Sequence, residues 1–135
     1  MGRDVQDKLE IDGQETIYSP SAADVERALA SLDMNGPGFC ILTRSDGSYV
    51  QTAGTKVGLL VEYRHVEGDT FRHYVFGNPK GDHTPTSIRY RSGTLQLLRS
   101  EVLLVSEARE IFITFLALGQ IDPRWELRDI TENFE

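Results

Sequence analysis

Histidine, cysteine and strand carboxylates are the residue types in this chain with chemistry to offer, so their spacing comes first. The chain has three histidines and one cysteine. His65 and His73 flank the turn at Gly68 and are expected roughly opposite one another on a hairpin. Two histidines on facing strands can hold a divalent metal, but a third protein ligand is needed. Asp69 sits at the turn itself, too distant to serve easily, and His83 would have to fold back from a loop. No metal is therefore assigned. His65 beside Glu62 is not a catalytic signature, because such pairs are common on sheets and a general base must also reach a substrate proton. Cys40 lies in the run Phe-Cys-Ile-Leu, which reads as buried. A nucleophilic thiol needs a nearby base and some exposure. Glu107 and Glu110 fall in the first turns of a helix, where the helix dipole accounts for negative charge. Glu62 shares a strand face with Arg64, and a cross-strand pair with Arg72 is the expected arrangement. Arg89, Arg91 and Arg99 either group into an anion site or face water. The chain contains none of GxxxxGK[ST], GxGxxG, CxxC or HExxH, the patterns that announce phosphate or zinc chemistry. No catalytic residue and no cofactor is assigned.

One further set holds polar ends that would converge if their sheet curled: Tyr49, Gln51, Glu62, Tyr63, His73 and Arg89. These are the tentative binding residues. The lone Trp125 is expected in the core or at a sheet edge; otherwise it would serve as an interface anchor.

The elements that must position these groups follow from periodicity. Residues 8–18 alternate around Asp12-Gly13 and read as a short hairpin or a bulged strand. Ser19-Pro20 starts a helix, with Ser21 as the alternative cap. Its apolar face is Ala22, Val25, Ala28, Leu29 and Leu32, and Asn35-Gly36-Pro37-Gly38 ends it. A meander follows. Its strands are Phe39–Thr43, Tyr49–Thr52, Val57–His65 and Thr70–Phe76, with turns at Asp46-Gly47, at residues 53–56 and at residues 67–69. Residues 77–87, with two prolines and two glycines, read as a surface loop. A hairpin of residues 88–91 and 94–98 comes next. A second helix starts near Ser106 and stops at Gly119, and Trp125–Ile130 closes as a strand. The predicted fold is α+β: a single curved antiparallel sheet, a meander, with two helices packed on one face.

Size and charge narrow the classes. The chain has 135 residues, 39% hydrophobic and 26% charged, which suits one globular domain spanning residues 1–135. No apolar run approaches the roughly 20 residues of a membrane span. The polar start Met1–Lys8 has no signal-peptide core, so the expected location is cytoplasmic, with no membrane partner. The net charge is −7. Residues 1–38 hold 3 basic and 8 acidic groups, residues 39–99 hold 8 and 5, and residues 100–135 hold 3 and 8. Nucleic-acid binders need a basic surface, so no nucleic-acid partner is expected. Acidic flanks serve solubility or draw in a basic partner.

The ordered features also carry a resemblance. They are the run from Phe39 through Tyr49-Val50-Gln51 to Gly54, then Leu60-Val61-Glu62-Tyr63, His73-Tyr74, Glu110-Ile111-Phe112 with Phe115-Leu116, and Trp125-Glu126-Leu127. Over residues 39–130 the chain resembles small bacterial Imm1-type immunity proteins. The resemblance implies a non-enzymatic protein that neutralises a cognate toxin by occlusion, covering its active site with a matched surface. Asp24, Glu26, Glu107 and Glu110 would then be the partner-facing acidic groups. Two other readings stay open: a small-molecule-binding domain or enzyme with a pocket in the curved sheet, and a homodimer formed through an exposed sheet edge.

Overall fold

A computed structural model describes residues 6–135; the first five residues of the polar N-terminal stretch lie outside the described residues. Nine strands and two helices follow in the order β1 (Lys8–Ile11), β2 (Ile17–Tyr18), α1 (Ala22–Ser31), β3 (Phe39–Thr43), β4 (Tyr49–Thr55), β5 (Gly58–Glu67), β6 (Thr70–Gly77), β7 (Pro85–Tyr90), β8 (Gly93–Leu98), α2 (Val105–Leu118) and β9 (Glu126–Asp129). Short 3-10 turns cover Arg99–Glu101 and Thr131–Phe134. The fold is α+β. A seven-stranded sheet has the order β2-β1-β3-β4-β5-β6-β9, and every pairing is antiparallel. The sheet is open. It ends on edge strands of two and four residues, too short to template another chain easily.

The expected single sheet needs correction. β7 and β8 pair only with each other, as a separate two-stranded sheet. Leu97 is the one buried position of β8, and the edges of the large sheet are taken by β2 and β9. Two boundaries also move. The loop expected over residues 77–87 is shorter at both ends, because Gly77 belongs to β6 and β7 begins at Pro85, the position where a strand tolerates a residue with no N–H. The turn expected over residues 53–56 is shifted: residues 53–55 belong to β4, and the turn is at Lys56-Val57. Gly54 makes this possible: its φ is +138°, and a Cβ there would lie 2.3 Å from the Gly58 carbonyl oxygen. Only glycine lets the two strands approach that closely.

Both helices start one or two residues away from the expected places. Ser21, the alternative cap, is the one that acts: it accepts from the Asp24 N–H while the Asp24 carboxylate accepts from the Ser21 N–H, a reciprocal capping box. Ser19-Pro20 lies before the helix because Ser19 takes a left-handed φ of 52°, which turns the chain. α2 starts at Val105, with the Glu107 carboxylate accepting from the Leu104 N–H at 2.9 Å. Gly119, φ 66°, closes α2 as expected.

Register decides what each face of the sheet carries. Leu9, Leu42, Val50, Tyr63 and Tyr74 stand side by side across five strands, and Cys40, Thr52 and Val61 form the next row. This is the helix-covered face. Val25 and Leu29 of α1 and Ile111, Phe112 and Phe115 of α2 pack on it in one apolar cluster. Burying a side chain of this size contributes about 1.5–3 kcal/mol. Cys40 belongs to this core with no exposed surface. Burial alone pushes its thiol up to about 12, so it stays protonated and inert near neutral pH. A thiol-specific reagent at pH 8 should label Cys40 only as fast as the protein unfolds; rapid labelling of the native protein would contradict the packing.

Candidate functional site

The other face is helix-free, and the strand alternation of two brings four of the six tentative residues onto it. Gln51 and Glu62 are direct partners on β4 and β5, in a row with Ile41 and Val75. Tyr49, Arg64 and His73 form the adjacent row. The other two candidates fall elsewhere. Tyr63 points to the helix-covered face, where its ring lies 5.9 Å from Phe115 and 5.9 Å from Tyr74. Its phenol is pushed up by burial, with Asp46 and Tyr74 adding to the shift. Arg89 is exposed on the separate β7–β8 hairpin, where it lines a cavity of about 430 Å³ with Met34, Thr55, Val57 and Ile88. The six polar ends therefore do not converge.

The four that share a face are joined by contacts. Gln51 Nε2 donates to Glu62 Oε1 at 2.5 Å. The other Glu62 oxygen is 3.5 Å from His73 Nε2, outside hydrogen-bonding geometry, which leaves that buried nitrogen without a partner among the described residues. Arg64 Nε donates to His73 Nδ1 at 3.0 Å. An arginine N–H can only donate, so His73 Nδ1 must accept and the ring proton sits on Nε2, facing Glu62. Tyr49 meets the His73 ring edge-on at 6.0 Å. Its phenol is pushed up mainly by burial, against an opposing pull from the Arg64 cation.

The expected Glu62–Arg72 pair does not form. Residues 62 and 72 differ in parity from a facing pair: Arg72 stands opposite His65, and its guanidinium lies 3.5 Å from Asp129 instead. His65 and His73 also miss each other, because His73 faces Arg64 and the two imidazoles point to opposite sides of the sheet. His65 bonds the Tyr63 hydroxyl at 3.1 Å, and His83 pairs with Glu126 at 2.9 Å. Arg91 donates to the Gly36 carbonyl at 3.1 Å, while Arg89 lines its own cavity.

The C-terminal turn builds the cover over His73, and no local signal in the residue order announces it. Ile130 N–H donates to the His73 carbonyl at 2.8 Å, and the His73 N–H donates to Thr131 Oγ1 at 2.9 Å. Thr131 is itself held by Asp129, whose carboxyl is kept below its ordinary range by the Thr131 hydroxyl and backbone N–H. Phe134 then lies over His73 with centroids 4.4 Å apart. His73 has no exposed surface as a result. The Arg64 guanidinium carbon sits 4.0 Å from the Phe71 centroid, 4.6 Å from Phe134 and 5.6 Å from Tyr49. Arg64, Phe71 and Phe134 are the members that sequence reasoning missed. The alternation of β5 and β6 was enough to put Arg64 and Phe71 on the Glu62 face. Phe134 reaches it only through the tertiary fold.

The four acidic candidates all have intramolecular partners. Asp24 caps α1 and pairs with Arg27; its carboxyl is lowered chiefly by the Ser21 backbone N–H. Glu26 ties α1 to Arg109 of α2 at 3.2 Å. Glu107 caps α2 and Glu110 pairs with Arg124. Trp125 is buried against Phe76, edge-on at 6.4 Å, beneath the Arg124 guanidinium. It belongs to the core cluster, the packing role expected for it.

Compared with protein-family models, curated proteins and solved structures, the chain matches none of them. No described helix is long and apolar enough to cross a membrane.

Proposed function

We propose that this chain is a non-enzymatic protein-binding domain of the immunity type, and that it binds its partner, a cognate toxin, through the helix-free face. What carries the reading is the arrangement on adjacent central strands: partly exposed Tyr49, Gln51, Glu62 and Arg64 share one sheet face, already held in place by one another and by His73. Tyrosine and arginine are the residue types that anchor protein interfaces. Side chains fixed before binding lose little conformational freedom on association. The cavities near 430 and 420 Å³ lie away from this cluster, lined in turn by Arg89 with Met34 and by Asp24 with Ala28. The net charge of −7 favours fast capture of a basic partner.

The test is co-purification with the product of a neighbouring gene, followed by an assay of that product's toxicity. A stoichiometric complex that silences a toxic activity is the expected result; recovery of the chain alone under the same conditions overturns it. Alanine at Tyr49 is the variant of choice, because Tyr49 is partly exposed, and it should weaken the complex by about tenfold or more. Charge reversal at Asp24 or Glu107 is a poorer probe, since each also removes a helix cap worth about 1 kcal/mol. Glu26→Lys and Glu110→Lys remove only exposed ion pairs, each worth at most about 1 kcal/mol, so they read partner attraction more cleanly.

A further inference from the structure

We infer that Arg64 is a preformed carboxylate receptor, and that it reads an Asp or Glu side chain on the partner protein; this rests on the proposed use of the helix-free face. The argument begins with what the guanidinium already does. Its Nε–H is committed to His73 Nδ1 at 3.0 Å. Its carbon lies 4.0 and 4.6 Å from the Phe71 and Phe134 ring centroids, where cation–π attraction holds it. The terminal Nη1 and Nη2 donors have no hydrogen-bond acceptor and no acid within ion-pair distance among the described residues. The nearest strand carboxylate, Glu62, is turned toward Gln51 and His73. Arginine presents its donors as a rigid planar fork. With Nε–H committed to His73 and two aromatic rings beside the cation, the donors that remain are the Nη pair, which matches the two oxygens of one carboxylate.

His73 is why the fork cannot swing. It is fully buried beneath Thr131 and Phe134, and its tautomer is fixed by the bond it accepts. The site also discriminates by charge. Among the described residues the other strand cations on this face are committed, Arg128 to Glu101 at 2.7 Å and Lys8 to Glu10 at 3.7 Å. Glu62 stands two residues away on the same strand face. One available cation beside a carboxylate suits a planar monoanion better than a phosphate dianion, which calls for several donors.

The test needs only the isolated full chain. The Arg64 Nε–H resonance is followed by NMR at low ionic strength while N-acetyl-Gly-Glu-Gly-amide is added, with the Gln peptide and inorganic phosphate as parallel titrants. The expected result is a saturable shift of the Arg64 resonance with the Glu peptide, several-fold larger than at exposed Arg27 or Arg109. The Gln peptide should give no such shift, and phosphate should bind no tighter than the Glu peptide. Arg64→Lys keeps the charge and loses the fork; followed at the Tyr49 and His73 backbone amides in both chains, saturation by the Glu peptide should be seen in the parent chain and lost in the variant. Shifts that are uniform over all arginines, or retained binding in a folded Arg64→Lys chain, overturn the inference. Tighter binding of phosphate overturns the carboxylate assignment. Because no partner is present, failure here leaves the co-purification result standing, and failure of co-purification leaves this titration standing.

Discussion

Replacing Phe115 by alanine should destabilise the protein by about 3–5 kcal/mol, the range for emptying a fully packed aromatic site. Phe115 has no exposed surface and sits where α2 crosses the sheet. Three interactions end with it. Its ring meets Tyr63 edge-on at 5.9 Å, an aromatic pair worth about 0.5–1.5 kcal/mol beyond area alone. It fills the space between α2 and β5, which alanine would leave as a cavity. The Arg44 guanidinium carbon also lies 6.0 Å from its ring centroid, a cation–π contact that alanine removes. Phe115→Leu keeps most of the volume and should cost about 1.5 kcal/mol or less. Urea unfolding of the two variants checks this through the midpoint at unchanged slope. Equal small losses for both would mean that α2 is not pinned to the sheet as described. With total stabilities of about 5–15 kcal/mol for domains in general, the alanine variant should lie near the limit of folding.

The second large effect is expected at Arg128, and it is asymmetric. Glu101 is buried, and both of its oxygens accept from Arg128, at 2.7 and 2.9 Å. One oxygen also accepts from the Leu98 N–H at 2.9 Å. The guanidinium is held charged above its ordinary range, chiefly by these bonds to Glu101. The two ends differ in exposure, with Arg128 at 44% and Glu101 at 3%. Arg128→Met therefore strands a buried carboxylate, which in a sealed site would cost about 3–5 kcal/mol. Water reaches the arginine end, so about 2–3 kcal/mol is the expected loss. Glu101→Gln leaves an arginine that can turn to solvent and keeps an acceptor for Leu98, so about 1 kcal/mol is expected. The double variant should be more stable than Arg128→Met alone, because its buried group is neutral. Denaturant curves for the three chains decide the matter; a double variant weaker than Arg128→Met would mean that Glu101 is not stranded as argued.

Much of this protein was legible in its residue order. Alternation along β5 and β6 assigned Leu59, Val61 and Tyr63 to one face and Glu62 and Arg64 to the other. Asp46-Gly47, the Asn35–Gly38 stop and Gly119 punctuated the chain where the backbone turns. These signals are local, since they depend on a side chain's own strand, turn or helix. Capping was legible too, although the choice between Ser19 and Ser21 depended on a left-handed φ at Ser19 that the residue types did not announce. Gly54 misled for a related reason. Its glycine was read as a turn, when its purpose is the close approach of β4 to Gly58.

Which distant residues meet follows from packing between elements. Strand parity put His73 on one face, but a one-residue register difference separated it from His65 and set it opposite Arg64. The same register sent Arg72 to Asp129 and left Glu62 to Gln51. The separation of β7–β8 removed Arg89 from the set, because two strands joined by a short turn pair with each other whether or not a larger sheet accepts them. Above all, Thr131 and Phe134 come back from far along the chain to seal His73 and wall in Arg64. No periodicity reports such a return: the contacts are non-local, and their residue types are ordinary in any exposed turn. Local residue patterns set the elements and their faces. The tertiary structure determined the site, because the site consists of contacts between elements whose register and packing no single segment encodes.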